Sequence, residues 1–170
     1  CKREGICRRK DGNRVDGGML AVDLTTGQDK AMVGGYDFNR SEYNRATQSK
    51  RQPGSVFKPI VYAAALDHGY TPASIVKDTP ASFRDGRGKR WTPANADHKY
   101  RGAIRLREAL TFSRNVPTVR IADNIGLAYL LSYASQVGIS TPLAPNLSVA
   151  LGAGEVSLLE LIRVYGVFAT

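Results

Sequence analysis

Side chains that usually announce a metal or redox site are scarce: 170 residues hold two cysteines, two histidines and one tryptophan. Cys1 and Cys7 are too few for a four-ligand zinc site, and His68 and His98 lie too far along the chain to complete one. No metal and no cofactor is expected. Cys1 and Cys7 stay open between a disulfide, which suits an oxidising compartment, and two thiols near a frayed end. No stretch approaches the roughly 18 apolar residues that cross a bilayer, and no leader peptide is visible. Acidic residues are the minority, 15 against 24 Lys and Arg, for a net charge of +9. A basic balance marks a nucleic-acid binder when the basic residues cluster and aromatics interleave them. Here they are spread along the chain, with one local excess at Lys2, Arg3, Arg8, Arg9, Lys10 and Arg14. Nucleic acid is not an expected partner, and an anionic envelope surface is an equally good sink for the charge. The chain opens on Cys1 and closes inside an apolar run over 158–169, so both ends read as cut.

What is present is the composition of one globular domain, with 42% hydrophobic and 23% charged residues. Residues 1–17 are polar and read as a linker or lead-in segment. Alternation over 18–24 places Leu20, Val22 and Leu24 on one face of a strand, Thr25-Thr26-Gly27 is a turn, and 30–33 returns as its partner. A helix is predicted over 55–68, stopped by Gly69 and Pro72. Residues 70–100, rich in Pro, Gly and charge, read as a surface excursion with short strands, and its Trp91 as a core residue. Helices follow over 105–112, from Pro117 to about 124, and over 126–137 before Gly138. Ser157-Leu158-Leu159-Glu160 is a capping box opening the last helix. One hairpin followed by about five helices makes a mixed α/β layer fold.

Chemistry concentrates at Ser55-Val56-Phe57-Lys58, an S-x-x-K tetrad. On a helix, positions i and i+3 share a face, so the Lys amine stands beside the Ser hydroxyl. A serine is a poor nucleophile without a base, and burial can bring a lysine amine toward neutrality. The chain carries a second copy, Ser74-Ile75-Val76-Lys77, between Pro72 and Pro80 with no helix pattern after it. At Ser55 the context differs. Pro53-Gly54 forces a turn, and Pro59 is tolerated only in a first helical turn, which pins the helix start to about Ser55. The competing reading makes Ser55 a plain N-cap. Ser113-Arg114-Asn115, the only S-x-N segment, falls in a helix–helix break. A serine there can relay a proton, and an Asn amide can hold both the base and a substrate carbonyl. Its competing reading is again capping, with Asn115 preceding a helix at Pro117.

These segments together resemble the penicillin-binding proteins, in particular the transpeptidase domain of the bifunctional class A group. The resemblance runs through residues 51–59, 91–95, 106–110, 113–117 and 151–155, within a span of about 17–170. It implies a penicillin-binding transpeptidase or serine β-lactamase-like fold, with an antiparallel sheet flanked by helices. It implies that residues 18–170 are the N-terminal part of such a domain, in a bacterial enzyme anchored in the inner membrane and facing the periplasm or outer surface. Ser55 would attack the D-Ala-D-Ala carbonyl of a peptidoglycan stem peptide, with Lys58 as base, Ser113 as proton relay and Asn115 as substrate-positioning group. Penicillins and other β-lactam antibiotics would acylate Ser55 in the same way.

The sequence departs from the family pattern in one respect. The third motif, Lys-Thr-Gly on an edge strand, does not occur in these 170 residues. That strand would supply one oxyanion donor beside the Ser55 amide, and one such donor is worth about 10²–10³ in rate. The motif is expected beyond Thr170, along with a glycosyltransferase domain and an N-terminal anchor elsewhere, and the piece alone is expected to be inactive. Two alternatives remain. A β-lactam-hydrolysing or sensing relative would need a carboxylate for water, for which Glu155 is the candidate. A non-catalytic peptidoglycan-binding domain would keep the cleft without the reaction.

Overall fold

The computed structural model describes residues 15–84, 88 and 90–169. Cys1, Cys7, the basic cluster up to Arg14 and most of the expected lead-in segment lie outside these. The chain divides into two compact units, one formed by the residues up to Lys50 and from Ser157 onward, the other by Arg51–Val156.

In the first unit, β1 (Met19–Val22) and β2 (Asp29–Val33) form the expected antiparallel hairpin, with Met19 opposite Val33. The Asp23 carboxylate accepts from the amides of Thr25 and Thr26 and closes the turn. Leu20, Val22 and Leu24 line one cavity and so share the expected face, with Leu20 buried and Leu24 exposed. The register shifts between Ala21 and Val22, where Lys30 of β2 is the extra, unpaired residue. β3 (Lys50–Arg51) then leads into the second unit.

That unit opens with a 3₁₀ turn, Gly54–Phe57, followed by α1 (Lys58–Asp67). The α-helix thus starts three residues later than predicted, and Pro59 is the cause. An α-helical start at Ser55 would need the N–H of residue 59 for the Ser55 carbonyl, and proline has none. The Lys58 amide takes that carbonyl instead, in the shorter 3₁₀ bond. The 70–100 excursion holds β4 (Ile75–Asp78), β5 (Phe83–Arg84) and β6 (Arg90–Trp91), with β5 and β6 paired antiparallel. Trp91 is half-buried against Phe83 rather than in the core. β7 (Gly102–Arg105) pairs antiparallel with β4 and runs into α2 (Leu106–Thr111).

α3 (Asn115–Ile125) and α4 (Leu127–Gln136) complete the helices of this unit. α3 begins two residues before Pro117, which is still within the first turn, where a missing N–H costs nothing. The core lies between α1 and α3: Ile60, Val61, Ala64 and Ala65 meet a face of Val116, Val119 and Ala122, all buried. A second 3₁₀ turn, Leu147–Leu151, packs on α3 and buries Leu147, Val149 and Ala150. α1 and α4 both end in the Schellman pattern with a left-handed glycine. Gly69 has φ 93° and Gly138 φ 122°, and the next amide bonds back across the last turn, Tyr70 to Ala65 and Ile139 to Ala134.

β8 (Val156–Ser157) leads back to the first unit, where α5 (Leu158–Ala169) packs on β1. The capping box is present: Ser157 Oγ accepts from the Glu160 amide at 3.2 Å, and Glu160 Oε2 accepts from the Ser157 amide at 2.7 Å. Ser157→Ala should therefore lower stability by about 1 kcal/mol in a urea unfolding titration, whereas an unchanged midpoint would mean that the cap is redundant.

Candidate active site

Ser55 lies in the 3₁₀ turn, with its side chain exposed. Side chains at i and i+3 eclipse in this geometry, so Ser55 and Lys58 share a face as the tetrad requires. Ser55 is not an N-cap: Pro53 stands at that position for the 3₁₀ turn and Phe57 for α1, neither with a side-chain cap. Its approach depends on two glycines. Gly54 has φ 57° and its amide donates to the Gly152 carbonyl at 3.2 Å. Gly152 has φ 73°, and a Cβ there would collide with the Gly54 backbone.

Lys58 is 1% exposed and points its amine at the S-x-N segment. Nζ donates to Ser113 O at 2.6 Å, Ser113 Oγ at 2.9 Å and Asn115 Oδ1 at 2.7 Å. These bonds join residues 55 and 57 positions apart, and they account for all three ammonium donors. Burial, and then the Arg114 guanidinium, hold the Lys58 amine down at about 8. Tyr62, one turn on, is pushed up to about 12 by burial and bonds Thr118 at 3.1 Å, so it stays neutral.

Ser113 is exposed and adopts φ 49°, a left-handed conformation rare for a residue with a Cβ. It occupies the same place after α2 that Gly69 and Gly138 occupy after α1 and α4. Its amide donates to Leu110 O and the Arg114 amide to Ala109 O, both at 2.9 Å. A serine in a glycine's position is strained by about 1–2 kcal/mol. The strain places both its carbonyl and its hydroxyl on the Lys58 amine.

Asn115 is the first residue of α3, not its cap. Its side chain is already engaged, Oδ1 on Lys58 and Nδ2 on the Ala94 carbonyl at 2.8 Å. The free amides of α3 go instead to Asn95 Oδ1, which accepts from Asn115 N at 2.8 Å and Val116 N at 3.2 Å. Asn95 Nδ2 in turn donates to Asp78 Oδ1 at 2.7 Å. Asp78 is fully buried, and its Oδ2 accepts from Arg114 Nε at 2.8 Å. Arg114 also reaches Asp97 Oδ2 at 2.9 Å and the Lys99 carbonyl.

Asp78, Asn95, Arg114 and Gly152 are the residues that sequence reasoning missed. Asp78 follows directly on the second tetrad. That copy lies at the start of a strand: Ser74 Oγ accepts from the Thr71 amide and Lys77 is exposed, while the alternation turns Val76 and Asp78 inward. Glu155 is exposed and takes no part in the Lys58 cluster. Among the described residues, no group of His, Cys, Asp and Glu could hold a metal.

The family model for the penicillin binding protein transpeptidase domain matches residues 17–170. Penicillin-binding protein 1A of Neisseria meningitidis is 45% identical over 158 residues, 91% of this chain and 20% of that protein. Its namesake in Pseudomonas aeruginosa is 42% identical over 153 residues, 89% of this chain and 19% of that protein. The crystal structure of penicillin-binding protein 1A from Haemophilus influenzae superposes with a TM-score of 0.85 at 33% identity, covering 96% of this chain and 26% of that one. The chain thus spans about a fifth of the length of the curated relatives it matches.

Strain at Ser113 has a measurable consequence. Ser113→Gly should be more stable than Ser113→Ala by about 1 kcal/mol in thermal unfolding, because both lose the hydroxyl and only alanine keeps a Cβ at positive φ. Alanine equal to or better than glycine would remove the strain argument.

Proposed function

The chain belongs to the penicillin binding protein transpeptidase family, and on that premise we propose that Ser55 is the acylated nucleophile of a peptidoglycan D,D-transpeptidase. The observation that carries the reading is the bond set of Lys58, which ties the S-x-x-K tetrad to the S-x-N segment through one buried amine.

In this reading the Lys58 amine loses its proton before the reaction, then accepts one from Ser55 Oγ as that oxygen attacks the penultimate D-Ala carbonyl of a stem peptide. The tetrahedral oxygen is met by the Ser55 amide at the start of the 3₁₀ turn, where helix-type N–H groups lack internal partners. Collapse breaks the C–N bond, and the proton passes from Lys58 through the Ser113 hydroxyl to the departing D-Ala nitrogen. The acyl group stays on Ser55 until an amine of a neighbouring stem takes it. Asn115 holds Lys58 through Oδ1 and steers the substrate. A β-lactam follows the same first step, its strained amide opening on Ser55.

The roles fit the electrostatics. Ordinary lysine is almost wholly charged at neutral pH, but an amine held at about 8 is about one-tenth neutral at pH 7. Residues 18–170 then form the N-terminal part of the transpeptidase domain. The enzyme carrying it is bifunctional, with a glycosyltransferase domain and a membrane anchor, and works on the outer side of the inner membrane. The relatives, about five times the length of the matched region, leave room for these parts.

In the full-length protein, fluorescent penicillin should label wild type covalently and leave Ser55→Ala and Lys58→Ala unlabelled in a denaturing gel. Label persisting in Ser55→Ala would sink the nucleophile assignment. Rapid turnover of a chromogenic cephalosporin would favour a hydrolase instead. The acylation rate should also climb with pH and level off, with its midpoint near 8. The sign follows from the neutral amine being the competent base, present above its pKa and lost below it.

A further inference from the structure

Arg114, the middle residue of the S-x-N segment, takes no direct part in the reaction proposed above, yet it is 4% exposed and its partner Asp78 is fully buried. We propose that the Asp78–Arg114 pair is a positioning element for the Lys58 amine: through Asn95 it fixes the acceptors that hold the amine, and through the guanidinium it sets a permanent cation beside it. The proposal rests on Lys58 being the general base.

The mechanical half follows a continuous path. Asp78 spends Oδ1 on Asn95 Nδ2 at 2.7 Å, and Oδ2 on Arg114 Nε at 2.8 Å and the Arg101 amide at 3.1 Å. Asn95, also held by the Lys99 carbonyl at 2.9 Å, presents its Oδ1 to the amides of Asn115 and Val116. With that amide fixed, Asn115 Oδ1 stands 2.7 Å from Lys58 Nζ. Asp78 thus reaches Lys58 without touching it.

The electrostatic half follows from what surrounds the amine. A buried guanidinium disfavours a second cation nearby, and its carboxylate partners offset part of that field. Among the described residues, other ionisable groups on the packed elements are otherwise occupied, neutral or turned to solvent. On α1, Tyr62 is neutral, and Asp67, at the far end, accepts from Tyr129 of α4. On α2, Glu108 accepts from the Arg105 amide and Arg107 is exposed. Lys77 and Lys99 are exposed, Arg101 lies over the Phe112 ring at 3.7 Å, and Arg120 of α3 reaches Thr79. The 3₁₀ turn Leu147–Leu151 has no ionisable side chain. Arg114, Asp78 and Asp97 are therefore the charges that set the field.

The test is the pH profile of penicillin acylation in the full-length protein. Arg114→Gln removes the cation and should raise the midpoint by about half a unit to one unit, roughly 3–10-fold slower acylation at pH 7. Asp78→Asn and Asp97→Asn leave the cation less opposed and should lower it, Asp78 more. Arg114→Lys keeps the charge without the fork and should hold the midpoint while slowing the rate at every pH. Asp97 is half-exposed (45%), so Asp97→Asn is expected to fold and to keep the profile measurable even if a buried variant unfolds. Opposite shifts support the proposal. A midpoint shared by wild type and every folded variant, or shifts all of one sign, overturns it. A wild-type profile with no limb near 8 overturns the general-base reading, and this proposal with it.

Discussion

Burying a lysine amine removes water from a cation, at an effective cost of several kcal/mol unless acceptors take its place. Lys58 meets that demand with three oxygens, two from Ser113 and one from Asn115. Each oxygen is itself held in place. Ser113 is placed by the end of α2, Asn115 by the start of α3, and the amides at that start by Asn95. The break between α2 and α3 is therefore the point at which the architecture of the larger unit and the chemistry of its site meet.

The solution leaves marks in the backbone. Three helices of this unit end in the same left-handed turn, and only the one facing Lys58 uses serine there instead of glycine. Strain kept where a glycine would relieve it is what a functional constraint leaves behind. Gly54 and Gly152 serve the other side of the site. Their backbones approach so closely that a Cβ at Gly152 would collide with Gly54, while Gly54 is required by its positive φ. The Asp78–Arg114 pair is a further layer, and it explains why the most deeply buried charges of the unit collect under an exposed serine. Such pairs are weak contributors to stability, since desolvation offsets most of their attraction. Their value here is geometric and electrostatic.

The two S-x-x-K tetrads separate what spacing can and cannot say. At Ser55 the flanking prolines specify a helical turn, so positions three apart share a face. Pro59 also shifts the α-helix start to Lys58, a detail that follows from its missing N–H and was legible in the sequence, though not read from it. At Ser74 the chain is extended, Lys77 turns outward, and the following residue, Asp78, turns in. The tetrad that reads as a decoy thus delivers a charge to the site. Only the pairing of β4 with β7 and its packing on α3 decide that Asp78 faces inward, and neither is written in four residues.

By itself the sequence determined the hairpin, the helices, the capping box at Ser157, and the identity of Ser55, Lys58, Ser113 and Asn115 as the residues to watch. Each of these rests on local periodicity, on proline and glycine chemistry, or on side chains close in sequence, and such rules act over a few residues. Tertiary structure alone decided that Lys58 bonds Ser113 and Asn115, that Asn95 rather than Asn115 caps α3, and that Asp78, Asn95 and Arg114 form one network. Those contacts join residues 17 to 57 positions apart. A burial requirement on one amine selects them, and burial is a property of the packed chain rather than of any segment of it.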